Sequence, residues 1–250
     1  YVYIESWLLG YSFFSLTGRY AGIMDEAGMV SFLRGYQGIV KNEFFSGIAI
    51  AYTFFLITFA LNILVVFSGI KKGIERICKI ALPLLFILAI IIMVRVFTLK
   101  SPYDPSWTPY NGLGFLWNPN FSALKDAKVW LAAAGQIFFT LSVGIGVILT
   151  YASYLTKDDD VLLSGLTAVS TNEFAEVIIG GSIVIPAAFI FFGPAGISQV
   201  AGQGAFDLGF VTMPLILKTF PAGMLFAFIW FILLFLAGIT SSISLAQPAI

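Results

Sequence analysis

Long uninterrupted runs of apolar residues dominate the hydrophobic pattern of the chain. A helix needs about 20 residues to cross the roughly 30 Å hydrocarbon core of a bilayer. Backbone in lipid must satisfy its own hydrogen bonds, and the runs lack the alternating period of barrel strands, so the pattern predicts membrane-spanning helices. The predicted order is a partial helix followed by five full spans, at 1–17 (partial), 44–70, 78–99, 129–154, 161–192 and 223–250.

The segments between these spans differ in length and charge. The join 71–79 is short and basic, which is typical of the cytoplasmic side of a membrane. Alternation then places the three long segments outside, and the last of them is hydrophobic enough to favour a short re-entrant hairpin over a disordered loop. The predicted outer loops are 18–43, 99–127 and 193–222.

Composition supports the membrane interpretation. Of the 250 residues, 59% are hydrophobic and 10% charged, and the mean hydropathy of +0.97 is far above that of soluble domains. A net charge of zero offers no electrostatic footprint for nucleic acid. One cysteine, Cys78, excludes an internal disulfide, and the absence of histidine removes the commonest metal ligand and general base. We interpret residues 1–250 as one transmembrane domain fragment, because both ends of the chain lie inside apolar runs.

The span 129–154 contains the segment GQIFFTLSVGIG, in which Gly144 and Gly146 follow closely after Thr140. Each glycine weakens a helix by about 1 kcal/mol relative to alanine, which predicts a break near 140–144. A broken span exposes backbone carbonyls and amides that can bind a cation and a carboxylate. Close helix packing at the glycines is an equally good explanation of the spacing alone.

The span 161–192 carries Asn172 and Glu176 one turn apart on one face, with Glu173 turned about 100° away. Intramembrane carboxylates are costly and indicate function. Glu176 can be a proton carrier, a fixed charge beside a cation, or half of an ion pair with Arg95; the sequence leaves these three open.

The last span contains AGITSSISLAQP, where Ala237, Thr240 and Ser241 bracket one helical turn. A carbonyl and two hydroxyls are hard oxygen ligands that suit Na⁺. Hydroxyls in membrane helices also commonly bond back to the preceding turn, and taken alone that explanation is the better one.

Together these segments resemble the neurotransmitter:sodium symporter family, and most closely its bacterial leucine-transporter branch. YVYIESW is similar to the third transmembrane helix of that family, GQIFFTLSVGIG to its broken sixth, SGLTAVSTNEFAEV to its seventh and AGITSSISLAQP to its eighth. The resemblance covers essentially the whole chain. It implies an all-α, polytopic helical membrane protein with part of the inverted-repeat leucine-transporter-like fold, lacking the first two helices and those after the eighth.

The resemblance also implies a substrate site. Tyr1 would donate its hydroxyl toward the substrate carboxylate, and Phe139 would cover the site. The backbone at Thr140 and its neighbours would receive the substrate amino group. The implied substrate-binding residues are Tyr1, Phe139, Thr140, Ser142, Ile145, Ser241 and Leu245.

Two Na⁺ sites are implied, both completed by helices outside the chain. One would be formed by Thr140 and Asn172 with the substrate carboxylate. The other would be formed by the Ala237 carbonyl with the hydroxyls of Thr240 and Ser241. Because the substrate is itself a ligand of the first ion, each would raise the affinity of the other.

Three further expectations follow from the resemblance. Glu176, with Gln136 beside it, would replace the chloride ion of animal members, so transport would not need chloride. Tyr154 and Gln247 would belong to the intracellular gate. Ile145 stands where the leucine transporter has a phenylalanine, so a bulkier apolar or aromatic substrate could fit.

The resemblance therefore implies sodium-coupled symport of small hydrophobic amino acids by alternating access, in a bacterial inner membrane. The expected partners are an amino acid and the lipid bilayer, and a homodimer is compatible with the fold. The alternatives are an ion channel or receptor-like helical bundle, and an intramembrane enzyme using Glu173 and Glu176. The enzyme is disfavoured because those two carboxylates diverge and no nucleophile or metal ligand accompanies them.

Overall fold

The computed structural model describes the backbone of residues 1–202 and 204–249, and their side chains except at 198–202 and 205. The described residues form helices and connecting turns, with no β-strand among them. Residue 203 of the predicted loop 193–222 and the last residue of the predicted span 223–250 lie outside the described residues. The fold is all-α, as predicted.

Twelve α-helices occur in the described part of the chain, several of them preceded or followed by short π or 3₁₀ turns. The π turns are Ile70–Ile74, Phe174–Gly180 and Leu208–Thr212, and the 3₁₀ turns are Phe121–Lys125 and Gln247–Ala249. The α-helices are α1 (Val2–Thr17), α2 (Glu26–Tyr36), α3 (Ala49–Phe67), α4 (Glu75–Phe97), α5 (Pro109–Trp117), α6 (Ala127–Thr140), α7 (Val147–Ala152), α8 (Val161–Glu173), α9 (Gly181–Gly202), α10 (Ala205–Asp207), α11 (Met213–Lys218) and α12 (Gly223–Ala246).

Four continuous helical segments of the described chain are long and apolar enough to cross a membrane. Their apolar side chains face outward as well as inward, as expected for helices in contact with lipid. The chain is therefore part of a multi-pass membrane protein. The four segments are Ala49–Phe67, Ile70–Phe97, Val161–Ile197 and Gly223–Ala249.

The fourth helix of the bundle begins at Ile70, eight residues before the predicted span 78–99. Only Ser68 and Gly69 separate it from α3, and Gly69 has a φ of 75° that few other residues adopt. The basic residues of the predicted join lie on the first turns of this helix. There Lys79 forms an exposed i,i+4 ion pair with Glu75, at 2.6 Å.

The predicted break in the sixth transmembrane segment is confirmed. Helix α6 ends at Thr140 and α7 begins at Val147, so residues 141–146 are not helical. The break extends a little further along the chain than the predicted range 140–144, because Gly146 also adopts a left-handed conformation.

The outer segments contain short helices that hydrophobic periodicity alone did not locate. Asp25 caps α2 by accepting a hydrogen bond from the Gly28 amide at 2.9 Å, and α5 starts with Pro109 after a Thr108 cap. Helix α9 kinks at Gly193, where φ is 66°, next to the predicted end of the span 161–192.

Helix α1 lies between α3 and α12, and an aromatic core fixes it there. Tyr11 is fully buried, and its ring contacts the rings of Phe32, Tyr36 and Phe210 edge to face at centroid separations of 5.1 to 5.9 Å. This packing holds the first turns of α1 against α12. The rings in contact with Tyr11 include Phe14, Tyr20, Phe32, Tyr36, Phe210 and Phe231.

Candidate functional site

The break between α6 and α7 is a short irregular segment held by its own backbone. The Leu141 amide donates to the Ile137 carbonyl at 3.1 Å and the Val143 amide to the Phe138 carbonyl at 2.9 Å, which closes the end of α6. Ser142 then has a φ of 55°. No side chain caps the start of α7 at Gly146. Because the break interrupts the regular helical hydrogen bonds, backbone groups of this segment can bind a ligand at the depth of the membrane-spanning helices.

A polar cluster joins α6 to α8 and the π turn that follows it. The Glu176 carboxylate accepts a hydrogen bond on each oxygen, one from the Gln136 amide and the other from the Thr140 hydroxyl. The Asn172 amide donates to the Thr140 hydroxyl oxygen at 2.9 Å. The structure therefore brings together the two residues predicted to replace chloride and two of the predicted Na⁺ ligands.

Arg95 does not pair with Glu176 in this arrangement. Its guanidinium donates to the Thr98 hydroxyl at 3.0 Å and lies over the rings of Phe220 and Phe226, 5.5 and 5.8 Å from their centroids. Of the three roles left open for Glu176, the ion pair with Arg95 is the one that this geometry does not provide.

One cavity of about 500 Å³ lies between α1, the break, α8 and α12. Its volume is within the range of small-molecule sites. It is lined by all seven predicted substrate-binding residues together with Asn172 and Glu176. The complete lining is Tyr1, Phe138, Phe139, Thr140, Ser142, Val143, Ile145, Asn172, Glu176, Ser241 and Leu245.

The cavity has two chemically different parts. Thr140, Asn172 and Glu176 supply oxygen and amide groups, whereas Ile145 and Leu245 belong to an apolar remainder that also includes phenylalanine and valine side chains. A molecule with a small charged head and an apolar body would match this division.

The oxygens of the second predicted Na⁺ site are clustered on α12. The hydroxyls of Thr240 and Ser241 both donate to the Ala237 carbonyl, at 3.0 and 3.1 Å. These bonds to the preceding turn are the alternative that the sequence left open. They use only the hydroxyl protons, so the lone pairs of both hydroxyl oxygens can still bind a cation. All three residues, with Asn172, line a groove of about 850 Å³ between α4, α8 and α12. Ser241 lines both the groove and the cavity.

The two predicted gate residues are in contact. Gln247 donates its side-chain amide to the Tyr154 hydroxyl at 3.0 Å. A second bond, from the Tyr151 hydroxyl to the Ser244 hydroxyl at 3.0 Å, runs beside it. Together they tie the region of α7 to the end of α12.

Sequence reasoning missed one polar cluster, which consists of Glu5, Asn62 and Ser242 and is defined here as the Glu5 cluster. All three side chains are buried, and Asn62 on α3 is hydrogen-bonded both to Glu5 on α1 and to Ser242 on α12. The sequence did contain a signal for this cluster. A carboxylate and an amide inside apolar runs are costly to place in a membrane, so such residues indicate a specific role.

Comparison with known proteins identifies a family that this chain matches. A sequence profile of the sodium:neurotransmitter symporter family matches residues 39–250. YhdH of Bacillus subtilis, an uncharacterised sodium-dependent transporter, is 35% identical over 193 residues, which is 77% of this chain and 39% of YhdH. An uncharacterised sodium-dependent transporter of Methanocaldococcus jannaschii is 32% identical over 188 residues, 75% of this chain and 37% of that protein.

Among solved structures, MhsT in complex with L-phenylalanine superimposes with a TM-score of 0.76 at 32% sequence identity. The match covers 99% of this chain and 51% of MhsT. The chain thus spans about half of MhsT and less than half of the two curated relatives.

Proposed function

Because the chain belongs to the sodium:neurotransmitter symporter family, we propose that the protein containing it uses the Na⁺ gradient to import small hydrophobic amino acids by alternating access. The observation that carries this proposal is the cavity of about 500 Å³, whose polar end lies at the break after α6. We place the protein in a bacterial inner membrane. The similar transporter of the bacterium Bacillus subtilis supports this location.

The amino acid binds with its charged head toward the break and Tyr1. The Tyr1 hydroxyl donates to the substrate carboxylate, and backbone carbonyls near Phe139, Thr140 and Ser142 accept from the ammonium group. The side chain then occupies the apolar part, between Ile145 and Leu245. The complex of MhsT with L-phenylalanine supports an aromatic or bulky aliphatic substrate.

Sodium binds at two groups of oxygens. Thr140 and Asn172 form one site with the substrate carboxylate, and Ala237, Thr240 and Ser241 form the other, each completed by helices outside this chain. Neutral oxygens suit a hard monovalent cation, and the clustering of Thr240 and Ser241 around the Ala237 carbonyl supports the second site. Sharing of the carboxylate between substrate and ion couples their binding.

Glu176 makes the transport independent of chloride. Its carboxylate is a fixed negative charge, held by Gln136 and Thr140 next to the first Na⁺ site. A relative from Drosophila melanogaster, 28% identical over 171 residues, is by name a sodium- and chloride-dependent GABA transporter. A carboxylate built into the chain supplies the charge that a bound anion would otherwise provide.

Uptake into proteoliposomes containing the full-length protein tests the proposed function. With an inward Na⁺ gradient, labelled leucine, phenylalanine and tryptophan should accumulate saturably, and replacing sodium by potassium should abolish accumulation. Replacing chloride by gluconate should leave the rate unchanged. Unsaturable flux that ignores the Na⁺ gradient would indicate the alternative, a channel-like bundle.

A further inference from the structure

A smaller cavity lies apart from the substrate cavity, where the three segments predicted as outer loops come together. Its volume is about 290 Å³, slightly below the range of sites for drug-sized ligands, so it suits a smaller molecule. Its walls are formed by the start of α2, the segment before α5, the part of α9 before its kink, and α11. None of its described lining residues belongs to the cavity at the break.

Lys218, the last residue of α11, supplies a positive charge to this cavity. Lysine side chains normally bury the hydrocarbon stem and keep the ammonium group in water. Here Nζ is shielded from solvent and makes no hydrogen bond to any described residue. A lysine in the last turn of a helix often donates to the final carbonyls of that helix, but this ammonium group does not. A buried ammonium group without a partner is costly, which points to a negatively charged ligand group beside it.

Two acidic residues at the start of α2 supply the opposite charge to the same cavity. Asp25 accepts a hydrogen bond from the Gly28 amide on Oδ1 at 2.9 Å, and Glu26 is the first residue of α2. One hydrogen bond does not exhaust a carboxylate, which can accept about four. Burial lowers the pKa of the Lys218 ammonium group, and the negative charge of Asp25 partly offsets this effect. The two charges therefore act on each other at this cavity.

Aromatic and aliphatic side chains form much of the remaining wall. The Tyr103 ring contacts the Phe191 ring edge to face at a centroid separation of 5.6 Å, and Phe191 contacts Phe192 at 6.0 Å. Leu215 of α11 is buried beside them. One small volume thus combines a positive group, negative groups and an apolar surface. A simple anion would be repelled by the carboxylates and a simple cation by the ammonium group, whereas a zwitterion with an apolar side chain complements all three.

We propose that this cavity, named here the Lys218 site, binds a free amino acid, with Lys218 contacting its carboxylate and Asp25 its ammonium group. The Tyr103 and Phe191 rings contact the apolar side chain of the ligand. None of the predicted Na⁺ ligands is among the described residues of this cavity, so binding here does not need sodium. The Lys218 site is argued from its own charges and does not rest on the proposed function.

Photolabelling of the full-length protein in lipid nanodiscs tests the Lys218 site without using transport. In potassium buffer without Na⁺, a diazirine analogue of leucine should label the cavity wall, detected by mass spectrometry at Tyr103 or Phe191, and leucine should compete. Leucine methyl ester lacks the carboxylate and 4-methylpentanoate lacks the ammonium group. Each should compete roughly tenfold less well, because each loses one charged contact. Equal competition by either analogue, or no label in this cavity, would overturn the proposal.

Two variants each remove one charge and preserve the local structure. Lys218→Met keeps an unbranched side chain, and Asp25→Asn keeps an oxygen that can cap α2. Each should weaken labelling roughly tenfold, whereas Lys125→Met, which removes an exposed lysine outside the cavity, should leave it unchanged. If Lys218→Met does not fold, Asp25→Asn still decides the question. Labelling that is unchanged in a folded charge variant would contradict the assigned contacts.

Sodium-driven uptake by the same proteins reports separately on the proposed function. Neither charge variant alters a residue of the substrate cavity, so the dependence of uptake on Na⁺ should persist in both. Sodium-free labelling without any sodium-dependent uptake would contradict the proposed function and support the Lys218 site. Sodium-dependent uptake without sodium-free labelling would contradict the Lys218 site alone.

Discussion

Ile145 lines the apolar part of the cavity between α1, the break, α8 and α12, and it lies within the unwound segment itself. Ile145→Phe adds a ring to this cavity and should exclude large substrates before small ones. We expect the apparent affinity for phenylalanine and tryptophan to fall roughly tenfold or more, with a smaller change for alanine, since overfilling an apolar site costs about 1–3 kcal/mol. Competition binding with labelled substrates measures the affinity for phenylalanine and tryptophan relative to that for alanine. Ile148→Phe, three residues on in α7 and outside the cavity lining, is the matched control; equal losses for small and large substrates in Ile145→Phe would refute this role.

Glu176 carries the predicted chloride independence. Glu176→Ser removes the fixed charge and leaves room for an anion between Gln136 and Thr140. Sodium-dependent binding by this variant should require chloride, whereas the unmodified protein should bind equally well in chloride and gluconate. Glu173→Ser, which removes the neighbouring carboxylate, should preserve chloride-independent binding. A Glu176→Ser protein indifferent to chloride would remove the charge-substitution role.

At the residue scale, the sequence signal is strongest where side-chain chemistry is unusual for a membrane. The family resemblance placed Tyr1, Thr140 and Ser241 in one site, and the structure brings them to one cavity. Glu5 and Asn62 carried an equally strong signal, but their side chains pair with each other across two different helices. Their hydrogen bond joins residues 57 positions apart, which periodicity within one helix cannot reveal.

At the scale of elements, the break between α6 and α7 was predictable because glycine weakens helices locally. The extent of the break was not, since it depends on left-handed conformations at Ser142 and Gly146 that a tertiary environment must support. The short helices α2 and α5 were predictable in principle from their capping residues, Asp25 and Thr108, rather than from hydrophobic periodicity.

The contact of Tyr154 with Gln247 links the region of α7 to the end of α12, and we expect it to hold the intracellular gate closed. Tyr154→Phe keeps the ring but removes the hydroxyl that accepts this hydrogen bond. A bond of this kind contributes about 1 kcal/mol, so the closed state should be weakened and the apparent amino-acid affinity lowered roughly fivefold. Equilibrium binding and labelling of a cysteine introduced at the inner end of α7 measure the two effects. Tyr110→Phe, an exposed tyrosine of α5, should change neither, and unchanged labelling in Tyr154→Phe would exclude a gate role.

At the scale of the whole molecule, hydropathy establishes only a multi-pass helical protein. The four long apolar helices support a multi-pass membrane protein. Only the match to the sodium:neurotransmitter symporter family indicates that sodium is involved. Coupling is a property of the complete binding site. Because the chain spans about half of MhsT, measurements of coupling belong to the full-length protein.

If sodium and an amino acid share ligands at the cavity, as we propose, each must raise the affinity of the other by the same factor. Equilibrium binding of labelled phenylalanine across a series of Na⁺ concentrations, repeated as sodium binding across a series of phenylalanine concentrations, tests this most directly. We predict that the two coupling factors are equal and that both fall together in Thr140→Val. Amino-acid affinity that does not change with Na⁺ concentration would show that the two do not share ligands.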